Sequence, residues 1–192
     1  MPGIIGKKLG MSQVIQDDGR VIPVTYVACD PNEVVQVKTE QTDGYPAIVL
    51  GFDAYKNPSK IKKFKALKEF RVESADDYKK GQKVTVEALN EVEAVTVTSA
   101  SKGRGYQGVI KRHSFSRGPE THGSGHHREP GSVGMCAKPG RVIKGKKLPG
   151  QMGNANITLK NRPVVSVTAD KNVVGIKGCL PGANNSYVYI KF

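Results

Sequence analysis

The side chains able to do chemistry crowd into one stretch of this 192-residue chain. Residues 101–162 hold all four His, Cys136 and 12 of the 22 Gly, with 13 Lys and Arg against two acids, a net charge of +11. Several enzymatic readings offer themselves there, and the spacing argues against each. His122, His126, His127 and Cys136 suggest zinc, yet the spacing is loose and the second Cys of a usual structural site is missing. Ser124 lies beside His122 and His126, but in a Gly-rich loop with no orienting acid, since Glu120 and Glu129 are the only carboxylates of the segment. Gly103-Arg104-Gly105-Tyr106-Gln107-Gly108 matches G-x-G-x-x-G literally. A dinucleotide site needs a helix next, to receive the pyrophosphate at its N-terminus, and Arg112–Pro119 cannot sustain one. Gly140–Lys147 is one residue from a P-loop. Lys147 takes the Ser/Thr place that would hold Mg²⁺, and Pro149-Gly150 preclude the following helix.

The same residues make sense as a surface for polymeric phosphate. Lys102, Arg104, Lys111, Arg112, Arg128, Lys138, Arg141, Lys144, Lys146, Lys147 and Lys160 can neutralise phosphates and release counterions. His113, His122, His126, His127, Gln151 and Asn154 can hydrogen-bond phosphates or base edges, and the His can also stack on bases. Lys7 and Lys8 join this candidate set from outside the segment. Gly allows close backbone approach, and Pro130, Pro139 and Pro149 stiffen the chain without needing partners for an N–H. Tyr106 and Phe115 are the only aromatics, too few for a sequence-tolerant single-strand platform. Threading through folded RNA fits the composition better.

The whole chain carries a net +13, which calls for a polyanionic partner. An acidic membrane would call for an amphipathic basic helix or a lipidation signal, and neither is present; no apolar run is long enough to span a bilayer. Cys29, Cys136 and Cys179 are odd in number and far apart, as free thiols in a reducing cytoplasm would be. The N-terminus reads directly into the domain with no targeting segment, which again predicts a cytoplasmic chain. No small-molecule substrate and no cofactor is expected, beyond Mg²⁺ held by the RNA itself.

The elements that must carry this segment lie on either side of it. Residues 1–100 balance 14 basic against 14 acidic side chains, and residues 163–192 carry a net of +2. Short β-rich runs recur at 21–27, 34–38, 47–52, 83–89, 94–99, 164–168, 173–177 and 187–190, separated by turn signals such as Asp17-Asp18-Gly19, Asp43-Gly44 and Pro181-Gly182. This pattern predicts a mainly β fold, an antiparallel barrel or sandwich, built discontinuously from 1–100 and 163–192. One short helix is expected near Ser59–Lys68, within an insert spanning 54–72. Its Lys60, Lys62, Lys63, Lys65 and Lys68 are either a solvated face or an RNA contact. Residues 101–162 cannot bury enough surface to offset their chain entropy, so they read as a long basic excursion that a partner must order.

At this point the motifs resemble a known family, the L-three family of large-subunit ribosomal proteins, bacterial type. Ile4-Ile5-Gly6-Lys7-Lys8-Leu9-Gly10-Met11-Ser12 resembles its opening motif, and Thr98–Gly108 its Ser-Lys-Gly-rich hinge. Thr121–Ser124, His127–Gly134 and Arg141–Gly153 are similar to its signature loops, and Val173–Gly182 to its closing segment. The resemblance covers nearly the whole chain. It implies a closed antiparallel β-barrel of the translation-protein type and a largely irregular extension that penetrates ribosomal RNA. It further implies early assembly on the 3′ region of the large-subunit RNA, contacts with neighbouring ribosomal proteins, and a tip of Met135, Cys136 and Ala137 directed toward the peptidyl transferase centre. Peptide transfer belongs to RNA, so no catalytic residue and no resident metal is expected. Ala137 stands where some members carry a methylated Gln, so that modification is expected to be absent. Residues 54–72 are shorter than the family's usual helical insert. Two other classes compete with this reading. A free RNA chaperone or nucleoid-type protein would bind RNA independently of any particle, and a metal-dependent enzyme built on the His cluster would carry stoichiometric zinc.

Overall fold

The computed structural model describes residues 2–59 and 62–192. The strands are β1 (Gly3–Ile15), β2 (Val21–Ala28), β3 (Asn32–Lys38), β4 (Ala47–Ala54), β5 (Phe64–Arg71), β6 (Lys83–Val84), β7 (Ala94–Ala100), β8 (Gly105–Gln107), β9 (Gly150–Met152), β10 (Asn156–Thr168), β11 (Val173–Lys177) and β12 (Tyr187–Lys191). Two helices of a single turn, α1 (Glu40–Asp43) and α2 (Val109–His113), interrupt this mainly β chain. It divides into two compact units, Met1–Ser101 with Asn156–Phe192, and Lys102–Ala155.

In the larger unit, alternation decides which face each strand buries. Along β7, Val95, Val97 and Ser99 are buried between less buried Thr96 and Thr98; along β12, Val188 and Ile190 are buried. Six antiparallel strands pair in a closed ring, in the order β1-β12-β7-β10-β11-β2. Ile4, Val27, Val95, Val97, Val174, Ile176, Val188 and Ile190 fill one cluster with Leu89. Each such side chain contributes roughly 1.5–3 kcal/mol by leaving water. A second sheet, β5-β4-β3-β6, packs Val34, Ile48, Leu50, Phe52 and Phe70 into a separate cluster.

β1 serves both clusters. Ile4 joins the first and Ile5 the second, because consecutive residues of a strand face opposite ways. The buried Asn32 fixes this junction: its Oδ1 accepts from the Ile5 N–H at 3.0 Å, and its Nδ2 donates to the Ile5 carbonyl at 3.0 Å. Next along the strand, Gly6 is required by space. A Cβ there would lie 2.5 Å from Val27 Cγ1 and 2.7 Å from Cys29 Sγ.

Three expectations are corrected. The helix expected near Ser59–Lys68 is replaced by β5 from Phe64 onward, while Lys60 and Ile61 lie outside the described residues. The insert 54–72 is therefore not helical where it is described. Its reason is tertiary: β5 pairs with β4 from Ala54↔Phe64 to Ala47↔Arg71, and buries Ala66 and Phe70. The run 83–89 is strand only at Lys83–Val84 and continues as a 3-10 turn that buries Val86 and Leu89. Residues 156–162, read as the end of the basic excursion, are strand instead: Asn156 pairs with Ala100 and Arg162 with Val95.

Candidate nucleic-acid interface

The smaller unit, Lys102–Ala155, holds itself together with very little. Val109 is its only member of the buried hydrophobic set. β8 and β9 form an antiparallel ribbon with Gly105↔Met152, Tyr106↔Gln151 and Gln107↔Gly150 paired. The single turn α2 follows Gly108 and ends at Ser114, whose φ of 58° is left-handed. A helix does therefore follow the G-x-G-x-x-G run, against expectation. It is one turn long, and the preceding strand pairs antiparallel, so no nucleotide-binding βαβ unit is present. From Phe115 to Pro149 the backbone has no regular element.

Polar contacts supply the order that an apolar core does not. Arg112 Nη1 donates to the Leu148 carbonyl at 2.6 Å, and His113 Nε2 lies 3.1 Å from the same oxygen. These two half-buried side chains tie the outgoing chain to the returning one. Farther out, the Gly118 N–H donates to the His127 carbonyl at 3.2 Å, and His127 Nδ1 sits 3.1 Å from the Pro119 carbonyl. Gly118 is needed for that closure, because a Cβ would collide with the His126 carbonyl. Both acids are used locally: Glu120 pairs with Arg117 at 3.2 Å, and Glu129 with His126.

What remains is cationic and open. Lys102, Arg104, Lys111, Arg128, Lys138, Arg141, Lys144, Lys146 and Lys147 are all exposed, and among the described residues none forms a salt bridge. His122, Gln151 and Asn154 are exposed as well, His122 and Asn154 with left-handed φ of 54° and 53°. Met135 is 78% exposed, and Cys136 and Ala137 are exposed beside it. Among the described residues no group of three or more His, Cys, Asp or Glu is gathered as a metal site would require. Ser124 Oγ accepts from the His126 backbone N–H at 3.3 Å; Glu129 does meet His126 Nδ1, against expectation, but among the described residues no hydrogen bond joins the Ser124 hydroxyl to that ring, so no triad forms.

Three candidates lie in the other unit, and one is displaced from the open set. Lys8 is 7% exposed, and its Nζ donates to the carbonyls of Leu180 at 2.8 Å and Gly182 at 3.2 Å. It is engaged in holding the β12 approach rather than presented to a partner. Lys7 is half-buried and lies within the field of Asp53; Lys160 is exposed on β10. Of the expected lysine cluster, Lys65 binds Asp53 at 3.0 Å and Lys68 stands over the Tyr189 ring at 5.4 Å, while Lys62 and Lys63 are exposed. Sequence alone assigns Tyr106 no contact, because it and Phe115 are too few for a stacking platform. Tyr106 is 75% exposed on the ribbon, near Arg104 in sequence, with its ring accessible to a base. An aromatic inside a Gly- and Arg-rich run was the available signal.

No helix among the described residues is long and apolar enough to cross a membrane. A family model described as Ribosomal protein L3 matches residues 66–175. The chain is 44% identical to the large ribosomal subunit protein uL3 of Syntrophus aciditrophicus, over 98% of this chain and 92% of the relative. It is 46% identical to the protein of that name from Lactobacillus delbrueckii subsp. bulgaricus, over 98% and 95%. With that of Alkaliphilus metalliredigens it shares 42% identity over 100% and 97%.

Proposed function

The chain belongs to the ribosomal protein L3 family, and from that premise we propose that it is a structural, RNA-binding constituent of the large subunit of the cytoplasmic ribosome. It acts by shape and charge and not as a catalyst. The observation that carries the reading is the smaller unit: one buried apolar residue, two acids already paired, and a set of exposed cations with no carboxylate to answer them. Such a surface is completed by phosphate.

In this reading the closed strand ring is a barrel of the translation-protein type, and Lys102–Ala155 is an extension that enters folded RNA. Lys102, Arg104, Lys111, Arg128, Lys138, Arg141, Lys144, Lys146, Lys147 and Lys160 meet phosphates. His122, His126, His127, Gln151, Asn154 and Tyr106 meet bases or sugars, and Arg112 and His113 brace the unit. The RNA is the large-subunit ribosomal RNA, its 3′ region organised early in assembly. Met135, Cys136 and Ala137 form a tip toward the peptidyl transferase centre. Any Mg²⁺ at the interface belongs to the RNA. Sedimentation of cell extract through a high-salt sucrose gradient tests this. Co-migration of the chain with large subunits at one copy each is expected; release into the free fraction would favour an RNA chaperone instead.

The tip assignment has its own test. Ala137→Trp enlarges the tip without altering charge, so subunits carrying it should assemble and show reduced peptidyl transfer, with no dependence on salt. Normal peptidyl transfer by such subunits would remove the tip from that neighbourhood.

A further inference from the structure

The distal half of the β1–β2 hairpin is built unlike the rest of its unit. β12 pairs with β1 only from Gly3 to Lys7, and Lys8 then exchanges backbone bonds with Ser186 and Asn185. From Gly10 to Ile15, β1 pairs with β2 along one edge, and among the described residues no strand covers the other. The open edge Leu9–Ile15 is about 23 Å long at the usual strand rise. The matching edge of β2 is closed almost to its start. β11 pairs with Val24–Ala28, and the Gly178 N–H donates to the Pro23 carbonyl at 2.8 Å.

Exposed edges are ordinarily blunted by Lys, Pro or charge, because an open ladder recruits other chains. β5, at the end of the second sheet, obeys this rule with Lys65, Lys68 and Arg71. β1 carries a bulge between Lys8 and Gly10 and then no such protection: Leu9-Gly10-Met11-Ser12-Gln13-Val14-Ile15 has neither charge nor Pro. Its apolar side chains face water instead. Leu9 is 46% exposed, Met11 51% and Ile15 68%, and Val21, paired with Ile15, is 54% exposed. Met11, Gln13 and Ile15 alternate onto one face.

RNA does not suit this surface. In a chain of net +13, residues 9–24 hold Arg20 alone against Asp17 and Asp18, and Arg20 is ion-paired with Asp18 at 3.2 Å. We propose that the open edge of β1, Leu9–Ile15, takes up an extended segment of another protein as an added strand, whose apolar side chains cover Met11, Ile15 and Val21. Main-chain bonds along the edge supply affinity, and the alternate apolar contacts supply selectivity. The proposal rests on the ribosomal reading, which gives the chain protein neighbours.

The test places a photo-crosslinking amino acid at Gln13 of the full chain and irradiates purified large subunits. The expected product links Gln13 to one other ribosomal protein, at a peptide mapped to an extended apolar stretch. Met11→Lys with Ile15→Lys should lower its yield about tenfold or more. Leu67→Lys, another exposed apolar side chain, should leave the yield unchanged. Independently of any variant, the amides of Leu9–Ile15 should exchange about tenfold or more slowly in the subunit than in the free chain. Linkage to RNA, linkage to a second copy of this chain, or no linkage and no added protection within intact subunits overturns the proposal alone. Absence of the chain from large subunits overturns the ribosomal reading, and this proposal with it.

Discussion

Lys8 and Lys146 bear the same ammonium and put it to opposite uses. Lys8 is buried against the Leu180 and Gly182 carbonyls, whereas Lys146 is exposed without an acid partner among the described residues. Lys8→Met keeps most of the aliphatic stem and strips both carbonyls of that donor, so the chain should lose about 1–3 kcal/mol of stability. Its urea midpoint reports this. Lys146→Ala should leave that midpoint within about 0.5 kcal/mol of its parent. It should instead flatten the salt dependence of RNA binding by about one unit of slope, the signature of one lost phosphate contact. Titrating RNA at several salt concentrations distinguishes the two lysines. In the sequence, nothing separated Lys7 from Lys8: the strand's alternation decides which one turns inward, and that depends on the register with β12. The thiols divide in the same way. Burial, then the neighbouring Asp30, pushes the Cys29 thiol up to about 12, while Cys136 and Cys179 are exposed and free. A maleimide should therefore label two thiols in the native chain and the third only in denaturant, as intact mass will show.

Strand pairing places a carboxylate where it matters for acid stability. Asp53, near the end of β4, receives a hydrogen bond from Lys65 on β5 at 3.0 Å and another from the Tyr187 hydroxyl at 3.1 Å. The Lys65 bond above all, helped by Tyr187 and by the charge of Lys7, holds its carboxyl below the usual range in spite of partial burial. Because the folded value is depressed, this stabilisation is complete above the unfolded carboxylate range near pH 4. It is lost as pH falls through the folded value. Urea midpoints measured from neutral pH into acid should fall more gently for Asp53→Asn than for its parent. Asn tolerates the left-handed φ of 56° found there. Glu69, lowered by Lys38, should keep part of the acid sensitivity in both. The strands that read most plainly in the sequence were those with simple alternation and turn-forming ends, such as β7 and β11. β5 was misread because its lysines fall at spacings a helix could use, and the pull that makes it a strand comes from β4. β1 was legible as a family motif but not as a strand; its Gly6 and Gly10 lower local strand preference, and Gly6 exists to admit Val27 and Cys29. Gly6→Ala should accordingly destabilise the chain by about 1–3 kcal/mol, measured again by denaturant.

At the scale of the whole chain, composition already divides the molecule: residues 1–100 and 163–192, with a net charge of +2, supply most of the ring and the second sheet, and the strongly basic run supplies the unit with one buried residue. What composition could not set was the boundary. Asn156–Arg162 has the character of the basic run but is held by β7, a partner more than fifty residues away in sequence. Hydrogen exchange on the free protein should respect the pairing rather than the composition. Amides from 114 to 149 should exchange rapidly, and those of β7 and β10 slowly. The same ring also imposes an order in time. β1 closes it by pairing Gly3 with Lys191 on β12, so its first strand waits for its last. At about 5–20 residues per second of synthesis, Ile4 and Ile5 stay without their closing neighbour for roughly ten seconds or more. The basic run, by contrast, emerges from its ribosome before β10, β11 and β12 do. If residues 102–155 bind RNA as proposed, a nascent chain is held by it while its ring is still open, and the two events need not occur in the order in which a finished protein would perform them.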